Sequence, residues 1–440
     1  MKRIFFTMGL GILAPAALLA FCGIYVSKSD GTLKNKASQV ILVRDGNRNR
    51  ITMYNDFKGE VKDFAMVVPV PVLLKQADIK VVDPSIFQLL NDYSAPRLVE
   101  YYDENPCAPR YYEDKMSVME APSAAVVEKE SPRKDYGVKV EARYLVGEYD
   151  ILILGATESN GLKRWLSDNG YKIPGAAEEV LEPYIKSNMK FFVAKVNPQR
   201  MAQLTNGFLR PIQISFNSPK FMLPIRLGMA NADGDQDLIV YGISRSGRME
   251  CTNYRTVEMP TGNHIPLFIK DDFNTFYQHV FAKKWNQEGR NIALVEYAWD
   301  VSPVNYLKCD PCVGNPPQVA DLVQAGVWWL QQTNWNDYSN LDDPGYDGQT
   351  NTFFTRLHIR YNRGSFPQDL AFQFTPNTTN YQSRYVITHP ASGSFTCDAG
   401  KAYLVALKQR RKEELRELYR LTDKSQFTWK DNNDHAVIDE

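Results

Sequence analysis

The sequence predicts an α+β protein dominated by strands, with mixed sheets, one β-α-α-β unit and a C-terminal amphipathic helix. Three observations predict this fold class. Apolar and polar residues alternate in many short segments, which is the period of a half-buried strand. Two helical patterns stand between strands on either side of residue 170. Leucines recur at helical spacing over residues 402–421, which indicates a helix with one buried face.

The N-terminal part is predicted to be rich in strands. Residues 40–43 belong to an alternating segment, and residues 64–70 form a buried apolar run. Asp83 and Pro84 then begin a short helix, because Asp accepts unpaired amide protons and Pro is tolerated at the first helical position. We therefore expect a β-rich N-terminal module over residues 21–113.

The composition changes after this module. Residues 114–135 are rich in Ala, Ser, Pro and Glu without an apolar period, which indicates a linker or a long surface loop. A main α+β domain over 136–421 and a polar tail over 422–440 follow. The β-α-α-β unit occupies 138–146, 149–154, 159–169, 176–188 and 189–196. Further strands are expected at 212–216, 237–243, 292–299, 354–361 and 384–388, and further helices at 272–287, 317–331 and 402–421.

The first 20 residues have the order of a secretory signal peptide. Lys2 and Arg3 are followed by an apolar run and the small residue Ala20. The run is shorter than the ~20 residues that cross a bilayer, so we expect cleavage after Ala20 and no transmembrane anchor in the mature chain. Lipidation of Cys22 is the alternative, and it would leave the protein attached to a membrane. The expected location is the periplasm or the outside of the cell.

Charge and composition narrow the range of partners. The 440 residues include 51 basic and 51 acidic side chains, for a formal net charge of zero. A neutral chain lacks the excess of basic residues that is typical of nucleic-acid-binding proteins, so no nucleic acid is expected as a partner. The hydrophobic content of 44% permits a large core and excludes a wholly disordered chain. An envelope glycan or an envelope protein remains as the partner class.

An even number of cysteines in an exported chain predicts disulfides. The six candidates are Cys22, Cys107, Cys251, Cys309, Cys312 and Cys397, and their pairing is open. Cys309 and Cys312 form a CxxC pair, which is also the pattern of thiol–disulfide redox proteins. Structural zinc needs a second close pair of ligands, which the sequence does not offer.

Two further segments contain candidate binding residues. Segment 328–348 interleaves aromatic rings with amides and carboxylates, a combination that suits sugar rings. Its candidates for glycan binding are Trp335, Tyr338, Asp342 and Asp343. The loop before the strand at 237–243 could offer calcium the carboxylates of Asp233, Asp235 and Asp237, with a hairpin turn as the alternative.

Five separated blocks carry a family resemblance. They are 21–26 (FCGIYV), 65–71 (AMVVPVP), 94–100 (SAPRLVE), 309–312 (CDPC) and 355–361 (TRLHIRY). Together they resemble the bacterial family called domain of unknown function 2330. The resemblance implies export and one shared architecture, and it supplies no catalytic residue. Some members of that family end in a transmembrane helix, whereas residues 422–440 are polar here.

The sequence contains no motif that defines an enzyme. Its five histidines are scattered, and none stands in HExxH or beside a GxSxG serine. We therefore expect a non-enzymatic binding or structural role in the cell envelope. The alternatives are a redox protein that uses Cys309 and Cys312, and a glycan-binding or glycan-acting protein that uses segment 328–348.

Overall fold

The structure, a computed structural model, describes residues 24–27, 38–54, 64–108, 138–169, 177–204, 209–231, 234–303, 314–331, 350–425 and 429. Strands dominate these residues, helices cover the sheets, and a long helix stands near the C-terminus, which confirms the predicted α+β class. The predicted signal peptide (1–20) and linker (114–135) lie outside the described residues.

The central sheet has nine strands, and eight of them follow one another in space. Their order is β14 (Arg255–Glu258), β16 (Ile292–Asp300), β17 (Phe353–Tyr361), β12 (Gln236–Ser244), β2 (Ser38–Asp45), β3 (Arg48–Tyr54), β10 (Ile212–Asn217) and β5 (Ile79–Val81). The ninth strand, β19 (Tyr381–Gln382), pairs with β16. The pairs β2/β12 and β14/β16 are parallel, and the other pairs of this sheet are antiparallel.

Three smaller sheets accompany the central one. An antiparallel sheet contains, in order, β1 (Ile24–Ser27), β4 (Phe64–Val70), β9 (Lys190–Val196), β8 (Tyr149–Ala156) and β7 (Val138–Val146). A second contains β11 (Met222–Leu223), β18 (Leu370–Phe374) and β13 (Met249–Cys251), and a third contains β15 (Asn263–His264), β20 (Arg384–His389) and β6 (Arg97–Tyr102). Strands from segment 21–113 pair with strands from segment 136–421 in three of the four sheets. The domain boundaries themselves stay a prediction.

The helices of the described residues are α1 (Ser85–Ser94), α2 (Ser159–Asp168), α3 (Ala177–Lys186), α4 (Pro198–Met201), α5 (Phe273–Gln287), α6 (Val319–Ala325) and α7 (Asp398–Thr422). Asp83 accepts the backbone N–H of Ser85 at 2.8 Å, as its place before α1 predicts. The helix predicted at 317–331 is shorter, because Gly326 adopts a left-handed φ of 116° after α6. A separate 3-10 turn, Trp328–Leu330, follows it.

The core consists of layers on both faces of the central sheet. One face carries Val40 and Met53, which belong to apolar clusters shared with the two sheets that contain β18 and β9. The other face carries Ile41 and Tyr241, which belong to a cluster shared with α1 and α6. The outer face of the five-stranded sheet is covered by α2 and α3. Both faces of the central sheet are therefore covered, as its largely apolar strands require.

The predicted leucine stripe of α7 is only partly buried. Leu418 is fully buried beside α5, whereas the side chain of Leu404 is 46% exposed. The buried face of α7 consists mainly of residues in its second half. The leucine spacing therefore predicts a longer contact between α7 and the rest of the protein than the structure has.

Gly326 provides a test of the packing between α6 and the central sheet. A Cβ atom at this position would lie 2.6 Å from Cδ of Arg50, and the positive φ is unfavourable for any other residue. We expect Gly326→Ala to lower the free energy of unfolding by about 2–4 kcal/mol, which urea denaturation can measure. Gly262→Ala is the matched control, because Gly262 also has a positive φ (72°) but has nothing within 4 Å of its Cβ position. The control should lose only about 1 kcal/mol, and equal losses would contradict this account of the contact.

Candidate functional site

Three cationic side chains lie on one face of β17. Arg356, His358 and Arg360 occupy alternate positions, and alternate side chains of a strand share a face. The intervening residues Leu357 and Ile359 belong to the apolar core on the opposite face. The sequence pattern of β17 thus separates one apolar face from one cationic face, and the cations need partners because this face is covered.

Glu296 is the central partner of these cations. The pairing register of β16 with β17 shifts between Val295 and Tyr297, so Glu296 stands at a β-bulge. Its side chain is 1% exposed and accepts hydrogen bonds from Arg356 Nε at 2.6 Å and from Tyr277 Oη at 2.6 Å. A third contact joins it to His358, whose Nδ1 lies 2.7 Å from Glu296 Oε1.

Asp237 completes the group from the neighbouring strand β12. Arg360 donates to both of its carboxylate oxygens, from Nε at 2.8 Å and from Nη2 at 2.9 Å. His358 Nε2 lies 3.2 Å from Asp237 Oδ1, so the imidazole joins two carboxylates through its two ring nitrogens. The ring of Phe281 from α5 covers the imidazole, with 4.1 Å between the ring centroids.

The carboxylates determine the charge state of His358. Burial by itself lowers the pKa of His358, but Glu296 and Asp237 outweigh this effect and raise the pKa to about 9. Burial would raise the pKa of Glu296, but His358 and Arg356 outweigh it and hold the pKa at about 2. His358 is therefore positively charged at neutral pH, and both of its nitrogens donate to carboxylates. Such an imidazole has no lone pair available for general base catalysis.

The same network connects the sheet with two helices. Arg356 Nη1 donates to Asn91 Oδ1 of α1 at 2.9 Å, and Tyr277 reaches Glu296 from α5. We define these six side chains (Tyr277, Asp237, Glu296, Arg356, His358 and Arg360) as the Glu296 network. Its members come from β12, β16, β17 and α5, so it fixes the relative position of these elements.

A disulfide joins two of the six candidate cysteines. Cys107 and Cys397 are 290 residues apart in the sequence, and their Cα atoms are 6.0 Å apart. Cys397 is also the N-cap of α7, where its Sγ accepts the backbone N–H of Gly400. Asp103, shortly before Cys107, binds Arg410 of α7 through both carboxylate oxygens. The disulfide and this ion pair therefore attach the first half of α7 to the segment that follows β6.

The structure differs from the prediction at Cys251, which is a free thiol and no disulfide partner. It lies at the end of β13 inside the apolar core, and burial raises the pKa of its thiol to about 12. A thiol with such a pKa stays protonated and is a poor nucleophile. The other candidates, Cys22, Cys309 and Cys312, lie outside the described residues.

The remaining predicted site residues have different positions. Asp237 belongs to the Glu296 network, and Asp235 accepts a hydrogen bond from Asn362. Among the described residues no group of three His, Cys, Asp or Glu side chains is arranged to hold a metal ion. The calcium site stays a prediction. Four glycan candidates and one calcium candidate lie outside the described residues: Trp335, Tyr338, Asp342, Asp343 and Asp233.

Sequence reasoning did not identify Glu296 or Tyr277 as members of a site. One signal was present, since three cations at alternate positions of a strand demand acidic partners on the adjacent strands. The sequence predicts Asp237 only as a candidate calcium ligand. The bulge that positions Glu296 leaves no mark in the sequence, because it depends on the pairing of β16 with β17.

These features define a disulfide-containing α+β protein with a charged network inside its central sheet. Within the described parts of the chain no helix is long and apolar enough to cross a membrane. The chain belongs to the bacterial family DUF2330, described as "Uncharacterized protein conserved in bacteria", whose model matches residues 15–373. The match confirms the resemblance seen in the sequence, and it includes β12, β16 and β17. No curated protein and no solved structure matches the chain.

The Glu296 network predicts a specific dependence of stability on pH. His358 has a pKa of about 9 in the folded chain, above its ordinary value of 6.5, so its contribution is complete below pH 6.5 and is lost as the pH rises through 9. We expect His358→Gln to lower the free energy of unfolding by about 3 kcal/mol at pH 6. The loss should be much smaller at pH 9.5, where the wild-type imidazole is largely neutral. Urea denaturation at both pH values measures the difference.

His389→Gln is the control for this variant. His389 Nε2 also lies 2.7 Å from a carboxylate, Glu100 Oε2, but the two side chains are 23% and 30% exposed. An exposed pair contributes little, so the control should lose less than about 1 kcal/mol. A loss in His358→Gln that is the same at pH 6 and pH 9.5 would show that the charge of His358 does not stabilise the fold.

The disulfide predicts a response to reducing agents. We expect Cys107→Ser/Cys397→Ser to lower the free energy of unfolding by roughly 3–5 kcal/mol, because the bridge closes a long loop in the unfolded chain. Dithiothreitol should lower the thermal midpoint of the wild type and affect this double variant much less. Cys251→Ser, which removes a thiol outside the disulfide, should keep the wild-type response. An equal response of the double variant and the wild type would assign the effect to other cysteines.

Proposed function

We propose that the protein is exported and acts in the bacterial cell envelope, in a binding or structural role without catalysis. The Cys107–Cys397 disulfide is the observation that carries this proposal. Disulfides persist in oxidising compartments and are rare in the reducing cytoplasm. The signal-peptide pattern of residues 1–20 points to the same destination.

The chemistry of the described residues supports a role without catalysis. His358 has both ring nitrogens bound to carboxylates, and its pKa of about 9 keeps it protonated. Cys251 is a buried thiol whose pKa is raised to about 12. Neither group has the charge state that a general base or a nucleophile needs near neutral pH. His358 stabilises the fold through its contacts with two carboxylates, and Cys251 packs in the apolar core.

Expression of the full chain in a bacterium, followed by cell fractionation, tests the proposal of export. We expect a periplasmic or secreted product that begins at Phe21, with Cys107 and Cys397 oxidised, which intact-mass measurement and non-reducing peptide mapping can establish. Leu10→Arg/Leu13→Arg is the control, because two charges in the apolar run should block export and leave these cysteines reduced. A wild-type product in the cytoplasm that begins at Met1 would overturn the proposal. A lipid attached to Cys22 would show that the mature protein is anchored to a membrane and is not released.

A further inference from the structure

A second buried arginine of the central sheet has no acidic partner among the described residues. Arg50 lies on β3, and its side chain is 9% exposed. It donates from Nε to Ser215 Oγ at 2.9 Å and from Nη1 to the carbonyl oxygen of Gly326 at 3.0 Å. Both acceptors are neutral, and no carboxylate of the described residues binds the guanidinium. Arg356, which is 5% exposed in the same sheet, binds Glu296 at 2.6 Å. Arg50 is therefore a buried charge whose counter-charge is missing from the described residues, an arrangement that costs free energy.

Two more cations accompany Arg50. Arg48 shares its face of β3. Lys80 lies on β5, two strands away, which is about 10 Å across the sheet, and it is in line with Thr52, two residues from Arg50. Neither forms an ion pair with any described residue. Asp45 stands opposite Arg48 in the β2/β3 register, but its carboxylate lies 3.6 Å from Arg245. Burial lowers the pKa of Arg50, and partial desolvation lowers the pKa of Lys80, whose side chain is still exposed; the positive charges of Arg48 and Arg50, respectively, lower these pKa values further.

The indole ring of Trp328 lies beside two of these three cations. The guanidinium carbon of Arg48 lies 4.6 Å from the centroid of Trp328, and that of Arg50 lies 5.4 Å from it. Trp328 belongs to the turn after Gly326, the residue whose carbonyl oxygen binds Arg50. The face of an indole ring attracts a guanidinium cation and leaves those N–H groups that are not already bonded available to a ligand.

The neighbouring side chain of Gln213 has a buried oxygen atom that accepts no hydrogen bond from the described residues. Gln213 is fully buried on β10, on the face that also carries Ser215 and Arg50, and it aligns with Lys80 of β5. Its Nε2 donates to Thr52 Oγ1 at 2.7 Å and to the backbone carbonyl oxygen of Gln324 at 3.3 Å, and this carbonyl, which can only accept, assigns Oε1 as the acceptor end. Oε1 is buried and accepts no hydrogen bond from any described residue. A buried acceptor without a donor is rare in folded proteins, and a bound hydroxyl group or water molecule would satisfy it.

We propose that Arg48, Arg50 and Lys80, beside Trp328, form a binding site for the phosphate group of an anionic ligand. Guanidinium groups donate to phosphate oxygens in a matched fork, and an ammonium group adds a point charge. Lys80 stands opposite Gln213 of β10, and Arg50 stands opposite Ser215, two residues further along the same strand, so both cations neighbour the buried amide of Gln213 on one face. The hydroxyl group of a protonated phosphate or of a phosphorylated polyol supplies the donor that Gln213 Oε1 lacks. This site is separate from the Glu296 network, and the proposal does not depend on export.

Isothermal titration calorimetry of the full chain tests this site, with inorganic phosphate and glycerol phosphate as probes. Sedimentation with vesicles of phosphatidylglycerol, compared with phosphatidylcholine, forms a separate arm for a lipid headgroup. We expect saturable binding in one arm and an at least about tenfold loss of affinity in Arg48→Gln/Lys80→Gln, since two charge-assisted contacts disappear. Both residues are exposed, so the variant should keep the wild-type thermal midpoint in the absence of the probe.

Lys408→Gln/Lys412→Gln is the matched control. It removes the same charge from two exposed positions of α7, and its affinity should stay within about twofold of the wild type. Binding in solution would identify a free phosphate compound as the ligand class, and binding only to phosphatidylglycerol would identify a lipid headgroup. Absence of binding in both arms would overturn the proposal. An equal loss in both double variants would reduce the effect to net charge and would also overturn it.

Discussion

The buried carboxylate of Glu296 is the constraint on which the rest of the structure depends. A charge removed from water costs several kcal/mol unless it is paired and hydrogen-bonded, so Glu296 is compatible with the fold only while Arg356, His358 and Tyr277 surround it. These partners come from β17 and α5, and Asp237 of β12 supplies the second carboxylate. The neighbours of β17 and the helix above it are therefore specified by charge as well as by apolar packing.

The two ends of one sheet face use arginine in different ways. At the β17 end each cation has a carboxylate within hydrogen-bonding distance, and the charges neutralise one another inside the protein. Among the described residues at the β3 end, Arg50 has only neutral acceptors, and Arg48 and Lys80 add positive charge without acidic partners. Charges that are paired with each other inside the protein stabilise the fold and leave no net charge for a ligand. Positive charges without acidic partners attract an anionic ligand. The balance of charge therefore distinguishes the structural β17 end from the β3 end, where we propose the phosphate site.

The C-terminal part of the chain is fastened by interactions from distant segments. The family match ends at residue 373, within β18, so β20 and α7 follow it. β20 pairs in parallel with β6, and the disulfide and Asp103 then hold the first half of α7 beside the segment after β6. The second half packs Leu418 and Leu421 against α5. A covalent bond thus secures the half of α7 that buries the fewest side chains.

The sequence by itself determined the local elements, because burial leaves its period in the order of apolar residues. Strands were predicted at 138–146 and 189–196, and the structure has Val138–Val146 and Lys190–Val196. The five blocks that resemble the family are also recognisable in the sequence alone. Only the tertiary structure decided that Cys107 pairs with Cys397 while Cys251 stays a thiol, and that a bulge directs Glu296 toward His358. These outcomes depend on which distant segments meet. Local periodicity reports whether a residue is buried, whereas its partner is set by strand order and register across hundreds of residues.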